Sequence, residues 1–170
     1  GFRFAAALGH SVSPLKPSLV PLCTAESYCA ECMGLGLKNV RVSFYSAEGK
    51  TLYSEQGELM FTHFGISGPV VLSASAHLVD AAGATVLIDL KPALDEETLD
   101  KRLQSDFEEN KNKDFQNSLG ALLPQKLIQP VVRLSGIAPH KKVNSVTREQ
   151  LRALAGLLKA LPLTVTGTRP

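Results

Sequence analysis

The run Glu58-Leu59-Met60-Phe61-Thr62-His63-Phe64-Gly65-Ile66-Ser67-Gly68-Pro69 concentrates more chemically able residues than any other stretch of the chain. His63 carries a ring that can take or give a proton near neutral pH. Ser67 can cap a helix or, beside a base, act as a nucleophile. Gly65 and Gly68 let the backbone bend or be closely approached, and Pro69 suits the first turn of a helix. The pattern reads strand, turn, helix start, with Ser67 as the N-cap. Free N–H groups at such a helix start favour an anionic or carbonyl-bearing group. The catalytic set is incomplete, however. No carboxylate lies nearby in sequence to orient His63, and Asp89 is too distant to assign, so a hydrolase is disfavoured. The turn also lacks the lysine of a P-loop and the flanking glycines of a nucleophile elbow.

The other candidates are weaker. His10, His77 and His140 have no i, i+4 histidine partner of the kind that holds zinc. His77 falls within a predicted helix and His140 beside Lys141 and Lys142, both as surface groups. Cys29-Ala30-Glu31-Cys32 is formally a CxxC, and Cys23 adds a third thiol. No fourth ligand follows at zinc-like spacing, so these read as small buried residues and no metal is expected. Gly34-Leu35-Gly36 precedes a strand, whereas a dinucleotide fingerprint follows one, so it reads as a turn.

Those residues need elements to hold them. Val40 to Tyr45 alternates at period two and, with Thr51 to Glu55, predicts a hairpin around Ser46–Lys50. Gln56-Gly57 reads as a break, with a fresh strand over Glu58 to Phe61. Thr85 to Leu90, Leu19 to Leu22 and Leu163 to Thr166 are further strands. A helix is expected from Pro69 to about Ala82, stopped by Gly83. Beyond residue 92 the pattern turns helical. Asp95 is placed to cap a helix whose Leu99, Leu103 and Phe107 form one apolar stripe, with Leu94 and Leu99 as a staple and a polar loop over 108–114. Pro124 opens a second helix, interrupted by Pro130 and stopped near Gly136. Thr147 and Gln150 have capping-box spacing for a third, which Pro162 ends. The fold class is therefore α+β: an antiparallel β-barrel-like lobe, residues 1–92 and 161–170, with an inserted three-helix bundle, residues 93–160.

Composition narrows the function classes. With 44% hydrophobic and 20% charged residues the chain is globular, not disordered. A net charge of +2 gives no argument for nucleic acid or an acidic membrane surface. The longest apolar runs are too short to span a bilayer. An odd cysteine count suits a reducing, cytoplasmic setting. The first residue is not methionine, and the chain is expected to be a piece of something longer.

The run over 57–69 resembles the "GELLFTHxGxSGPxxL" segment of the BaiN/RdsA family of NAD(P)/FAD-dependent oxidoreductases, also called YhiN-like flavoproteins. Gly9-His10-Ser11 through Pro17-Ser18-Leu19-Val20-Pro21-Leu22 is similar to that family's "LGHxxxPxxPxLVPL", and Gly36-Leu37-Lys38-Asn39-Val40 to its "GLSLKNV". Leu163 to Thr168 resembles the strand that returns to the flavin domain. The resemblance implies a barrel with a helical bundle inserted, serving as the insert of a bacterial FAD enzyme whose dinucleotide-binding GxGxxG lies upstream. It implies FAD and NAD(P)H in the parent protein, a flavin-binding domain of the same polypeptide as partner, and a small-molecule substrate. Thr62, His63, Gly65, Ser67 and Gly68 would then face the cleft, with His63 the candidate catalytic group and the segment inactive alone. A stand-alone binding module without catalysis is the alternative.

Overall fold

The computed structural model describes residues 1–78 and 82–169. Among them six strands carry the architecture: β1 Leu22–Thr24, β2 Gly36–Tyr45, β3 Thr51–Thr62, β4 Gly65–Ser67, β5 Thr85–Asp89 and β6 Leu161–Thr168. They close into a barrel in the order β1-β4-β3-β2-β5-β6, with every pairing antiparallel. Closure leaves no sheet edge to solvent. Alternation puts Val40, Val42 and Phe44 of β2 and Leu161, Leu163 and Val165 of β6 inside, where each is buried. The α+β barrel class expected from the sequence is the one observed.

Among the described residues six α-helices accompany the barrel: α1 Phe2–Ala7, α2 Tyr28–Glu31, α3 Pro69–Ser75, α4 Glu96–Glu109, α5 Gln125–Ser135 and α6 Arg148–Lys159. The α4–α6 segment lies in sequence between β5 and β6, which are neighbours in the barrel. Helix α6 packs on both α4 and α5. Leu99, Leu103 and Phe107 are all buried, and Phe107 meets Phe115 edge-on at 6.2 Å. Asp95 caps α4 by accepting from the Thr98 N–H at 2.7 Å. The capping box at Thr147 and Gln150 is complete. None of the described helices is long and apolar enough to cross a membrane.

Several expectations need correction. Strand β3 runs unbroken through Gln56 and Gly57, because a bulge between Leu37 and Val40 on β2 absorbs the irregularity. Gly57 is needed because Val70 of α3 lies on it: a Cβ there would come within 2.8 Å of the Val70 Cγ2. Helix α3 ends at Ser75, well short of Ala82; residues 79–81 of the expected helix lie outside the described residues. Ser67 is not its N-cap. It pairs with Met60 in the sheet, and Gly68 holds the cap position at φ +103°, with Pro69 starting the helix. Of the expected strand at Leu19–Leu22 only Leu22 is extended in a ladder, since Leu19 sits at φ +56°. Helix α4 extends to Glu109, into the expected loop.

Two prolines act differently from their sequence reading. Pro130 does not interrupt α5, which continues through it with the ring buried. The carbonyl of Lys126, four residues earlier, would ordinarily accept from residue 130; it accepts instead from the Cys32 thiol at 3.4 Å. Pro162 lies inside β6 rather than ending α6 at a loop. Strand β1 pairs with β6 only from Val165 onward, so on that side the missing N–H of Pro162 faces no ladder partner.

One ion pair ties the helices to the barrel. Lys159 Nζ, at the end of α6, lies 2.6 Å from Asp89 Oδ2 at the end of β5, with side-chain exposures of 18% and 16%. The same ammonium donates to the carbonyls of Lys91, at 2.9 Å, and Leu94. Removing one partner strands a mostly buried charge. Lys159→Met is expected to cost about 2–3 kcal/mol in urea unfolding, at or below the low end for buried pairs because some solvent reaches this one. Lys101→Met, whose pair with Glu97 is exposed, is expected to change stability by less than about 0.5 kcal/mol.

Candidate functional site

The chemically rich run over 58–69 folds as the end of β3, a tight turn, β4 and the start of α3. Phe61 faces Ile66 and Thr62 faces Gly65, leaving His63 and Phe64 at the apex. The carbonyl of Phe64 accepts from the Thr24 N–H at 3.0 Å, stitching the turn to β1. His63 is exposed, and its ring meets that of Phe64 edge-on at 5.0 Å. On Phe64 sits the guanidinium of Arg169, 4.5 Å from the ring centre, a cation–π contact. The Arg169 N–H donates to the Pro21 carbonyl at 2.9 Å. The segments entering β1 and leaving β6 therefore lie side by side at this apex.

The glycines of the run are used in packing. Gly65, at φ +153°, lies so close to β1 that a Cβ would fall 2.3 Å from the Leu22 carbonyl oxygen and 2.8 Å from the Thr24 nitrogen. Gly68 presses on β3, where a Cβ would come within 3.0 Å of the Met60 nitrogen. Both sites are filled by the chain's own backbone, so neither is a cradle for a pyrophosphate. Ser67 lies two residue pairs back from the turn, about 7 Å along the strand. Asp89 is held by Lys159, so it is not the missing orienter of His63. The geometry thus places an imidazole ring and an aromatic–guanidinium pair on one exposed apex, with Thr62 Oγ1 shielded behind it and without a hydrogen-bond partner. Phe64 and Arg169 were not singled out by sequence, because only the closed register of β1 and β6 brings position 169 over position 64.

The cysteines form part of the framework. Cys29 Sγ accepts from Thr24 Oγ1 at 3.2 Å, and Cys32 donates to the Lys126 carbonyl freed by Pro130. Burial pushes each thiol up to about 11. Burial also raises the Tyr28 phenol, which donates to the Pro162 carbonyl at 2.7 Å. Lys126 Nζ donates to the Met33 carbonyl at 2.8 Å, and Arg133 grips both Glu31 oxygens at 2.7 Å, so α2 is fixed to α5 around Cys32. No group of three or more His, Cys, Asp or Glu residues that could hold a metal ion occurs among the described residues. Of the remaining histidines, His77 stacks on Tyr53 at 4.8 Å just past α3, and exposed His140 pairs with Asp114 at 3.2 Å.

Two outcomes follow from this geometry. Gly65→Ala is expected to destabilise by about 3 kcal/mol or more, since a backbone clash cannot relax through a rotamer, whereas His63→Ala should stay within about 0.5 kcal/mol; thermal melts of both variants check this. The thiols set an alkaline limit. Their folded values lie above the ordinary 9.0, so the folded state holds protons that the unfolded state has released. Stability is then complete below pH 9 and falls as pH rises towards about 11. Urea midpoints from pH 8 to 11 should show the fall, and Cys29→Ala with Cys32→Ala should flatten it up to about pH 10, above which the raised Tyr28 phenol adds its own share.

Comparison with known proteins adds the family. The chain is 30% identical over 168 residues to a ribosomal RNA dihydrouridine synthase of Escherichia coli, covering 99% of this chain and 40% of that protein. It is 29% identical over 171 residues to the ribosomal RNA dihydrouridine synthase of Haemophilus influenzae, covering 99% and 39%. It is 25% identical over 172 residues to a 3-dehydro-bile acid delta(4,6)-reductase of Clostridium scindens, covering 99% and 42%. The chain thus spans about two fifths of the length of these curated relatives. This agrees with the BaiN/RdsA resemblance carried by residues 57–69. Residues 16–170, nearly the whole barrel-and-helix chain, match the HI0933-like protein barrel and H2TH domain, and the chain belongs to that family.

Proposed function

We propose that this chain is the substrate-side cap of a FAD-dependent oxidoreductase, packing against a flavin-binding domain of the same polypeptide. The observation that carries the reading is the shared edge at the hairpin apex. The residues entering β1 and leaving β6 are joined through Pro21 and Arg169, beside His63 and Phe64. A domain connected through both would sit against this apex. The relatives' names describe two reductions, one forming dihydrouridine in ribosomal RNA and one acting on a delta(4,6) bile acid. Both chemistries saturate a carbon–carbon double bond, a reaction suited to hydride delivery from a flavin recharged by NAD(P)H.

In this reading the flavin is held elsewhere, since Gly65 and Gly68 are occupied by β1 and β3. Thr62, His63, Gly65, Ser67 and Gly68 form the wall that faces it, with the two glycines and Ser67 setting the wall's shape. His63 is the group placed to hold or move a proton at the substrate. Phe64 and Arg169 cover the junction and exclude water.

The test is expression from the complete reading frame, with flavin absorbance and NAD(P)H oxidation as readouts. Copurification of FAD is expected, together with a fall of about a hundredfold or more in turnover for His63→Ala if the ring transfers a proton. A complete protein that purifies without flavin would sink the reading. A flavoprotein whose His63→Ala variant keeps its kinetics with several acceptors would leave the cap in place and make His63 structural.

A further inference from the structure

The bulge on β2 builds a second cleft, away from the hairpin apex. Lys38 and Asn39 are the residues left between Leu37, which faces Leu59, and Val40, which faces Gly57. A bulge frees residues from the ladder and re-aims their side chains. Asn39 lines a cleft of about 380 Å³ with Lys91 and Arg102, over the backbone of residues 90–94 that joins β5 to α4. An adjoining hollow of about 210 Å³ shares Asn39 and Lys91 and adds Lys38.

The charge in this cleft is one-sided. Lys91 is partly buried, and burial, reinforced by the Arg102 guanidinium, holds its ammonium below the ordinary lysine value. The nearby carboxylates are engaged otherwise. Asp89 holds Lys159 with one oxygen and the Lys91 N–H with the other. Asp95 caps α4. Asp106 reaches Arg102 Nε only at 3.7 Å, in a half-exposed pair. Asn39 Oδ1 already accepts from Gln56 at 2.8 Å, so its amide hydrogens are the part free to donate. Among the described residues Lys91 Nζ is in no ion pair and Arg102 has only the loose contact with Asp106, so an anion between the two cations would offset their repulsion. The clamp that Lys159 puts on the Lys91 carbonyl fixes the backbone from which one of these cations projects.

We propose that this cleft binds a phosphate group, with Lys91 and Arg102 as its charge partners, Asn39 as its neutral donor and Lys38 at its rim. A guanidinium fork and an ammonium together match the shape and double charge of a phosphate. The proposal stands apart from the flavin reading, since it uses none of the residues at the apex. The phosphate could belong to a small phosphorylated ligand or to a nucleic-acid backbone, and the experiment separates the two.

The 170-residue chain is titrated with inorganic phosphate at low ionic strength, following heat and amide chemical shifts. Saturable binding is expected, with shifts concentrated at Lys38 to Val40 and Leu90 to Leu94. Lys91→Met and Arg102→Gln should each weaken it about tenfold or more, as loss of a charge-assisted contact does. Lys101→Gln, next along α4 but paired with Glu97, should change it less than about twofold. Should either cleft variant fail to fold by circular dichroism, Lys38→Gln on the exposed bulge gives the same readout, with a loss of about threefold. A ten-nucleotide RNA is then titrated in parallel. Lys91-dependent binding tighter than that of phosphate, with affinity falling steeply with salt, identifies a nucleic-acid backbone; Lys91-dependent phosphate binding without that gain identifies a small ligand. A linear, unsaturated response, or equal affinity in Lys91→Met and the unaltered chain, means an adventitious ion only and overturns the proposal.

Discussion

The junction where the chain leaves the barrel for α4 and returns from α6 rests on one ammonium. Lys159 ends α6, and its three hydrogens find the Asp89 carboxylate and the carbonyls of Lys91 and Leu94. These acceptors mark the place where the chain leaves the barrel for α4, while Lys159 itself stands two residues before the chain returns as β6. A lysine can donate three hydrogen bonds, so its charge is balanced and its donors are filled in a site with little water. The Leu90 N–H also donates to the Leu158 carbonyl at 2.9 Å, closing the same junction through the backbone. A second tie comes from Arg133 with Glu31 and Lys126 with Met33, which bind α5 to α2. The helices are therefore held at the β5–β6 junction and again through α2, which fixes orientation where a single tie would leave a hinge.

The run over 57–69 combines two roles that are easily confused in sequence. Its glycines exist because neighbours approach more closely than a Cβ permits: the Val70 side chain of α3 at Gly57, the backbone of β1 at Gly65, and the backbone of β3 at Gly68. Those contacts hold a turn whose tip presents His63 to solvent. The concentration of special residues thus measures how tightly the turn is built, and the chemistry is confined to His63 and its neighbours Phe64 and Arg169.

Much of this fold was legible from local pattern. Period-two alternation located the Val40–Tyr45 part of β2, the β-branched apolar run from Thr85 located β5, and the stripe Leu99, Leu103, Phe107 located α4 together with its Asp95 cap. These features depend on neighbours within a few residues, so sequence displays them. What failed depended on distant partners. Ser67 looked like a cap until Met60 claimed it for the sheet. Pro130 looked like a break because the thiol that relieves the freed Lys126 carbonyl is 94 positions away. Gly57 looked like a strand end because nothing local announces that Val70 will lie on it. The candidate site was located as a stretch, but the cation over Phe64 could not be read, since it follows from barrel closure.

Closure itself has a consequence for how the chain reaches this state. Strand β1 is bound on one side by β4 and on the other by β6, so residues 22–24 wait for residues 165–168 before the ring is complete. Contacts of such separation form late, because loop-closure entropy is lost before they are gained. During synthesis the β2–β3 hairpin and the α4–α6 segment can form from local contacts, while β1 and β5 each keep a bare edge until β6 emerges. The final eight-residue strand acts as a latch. A ribosome that stalls before it leaves an open sheet with two sticky margins, and the helices between β5 and β6 shorten the distance that the latch must search.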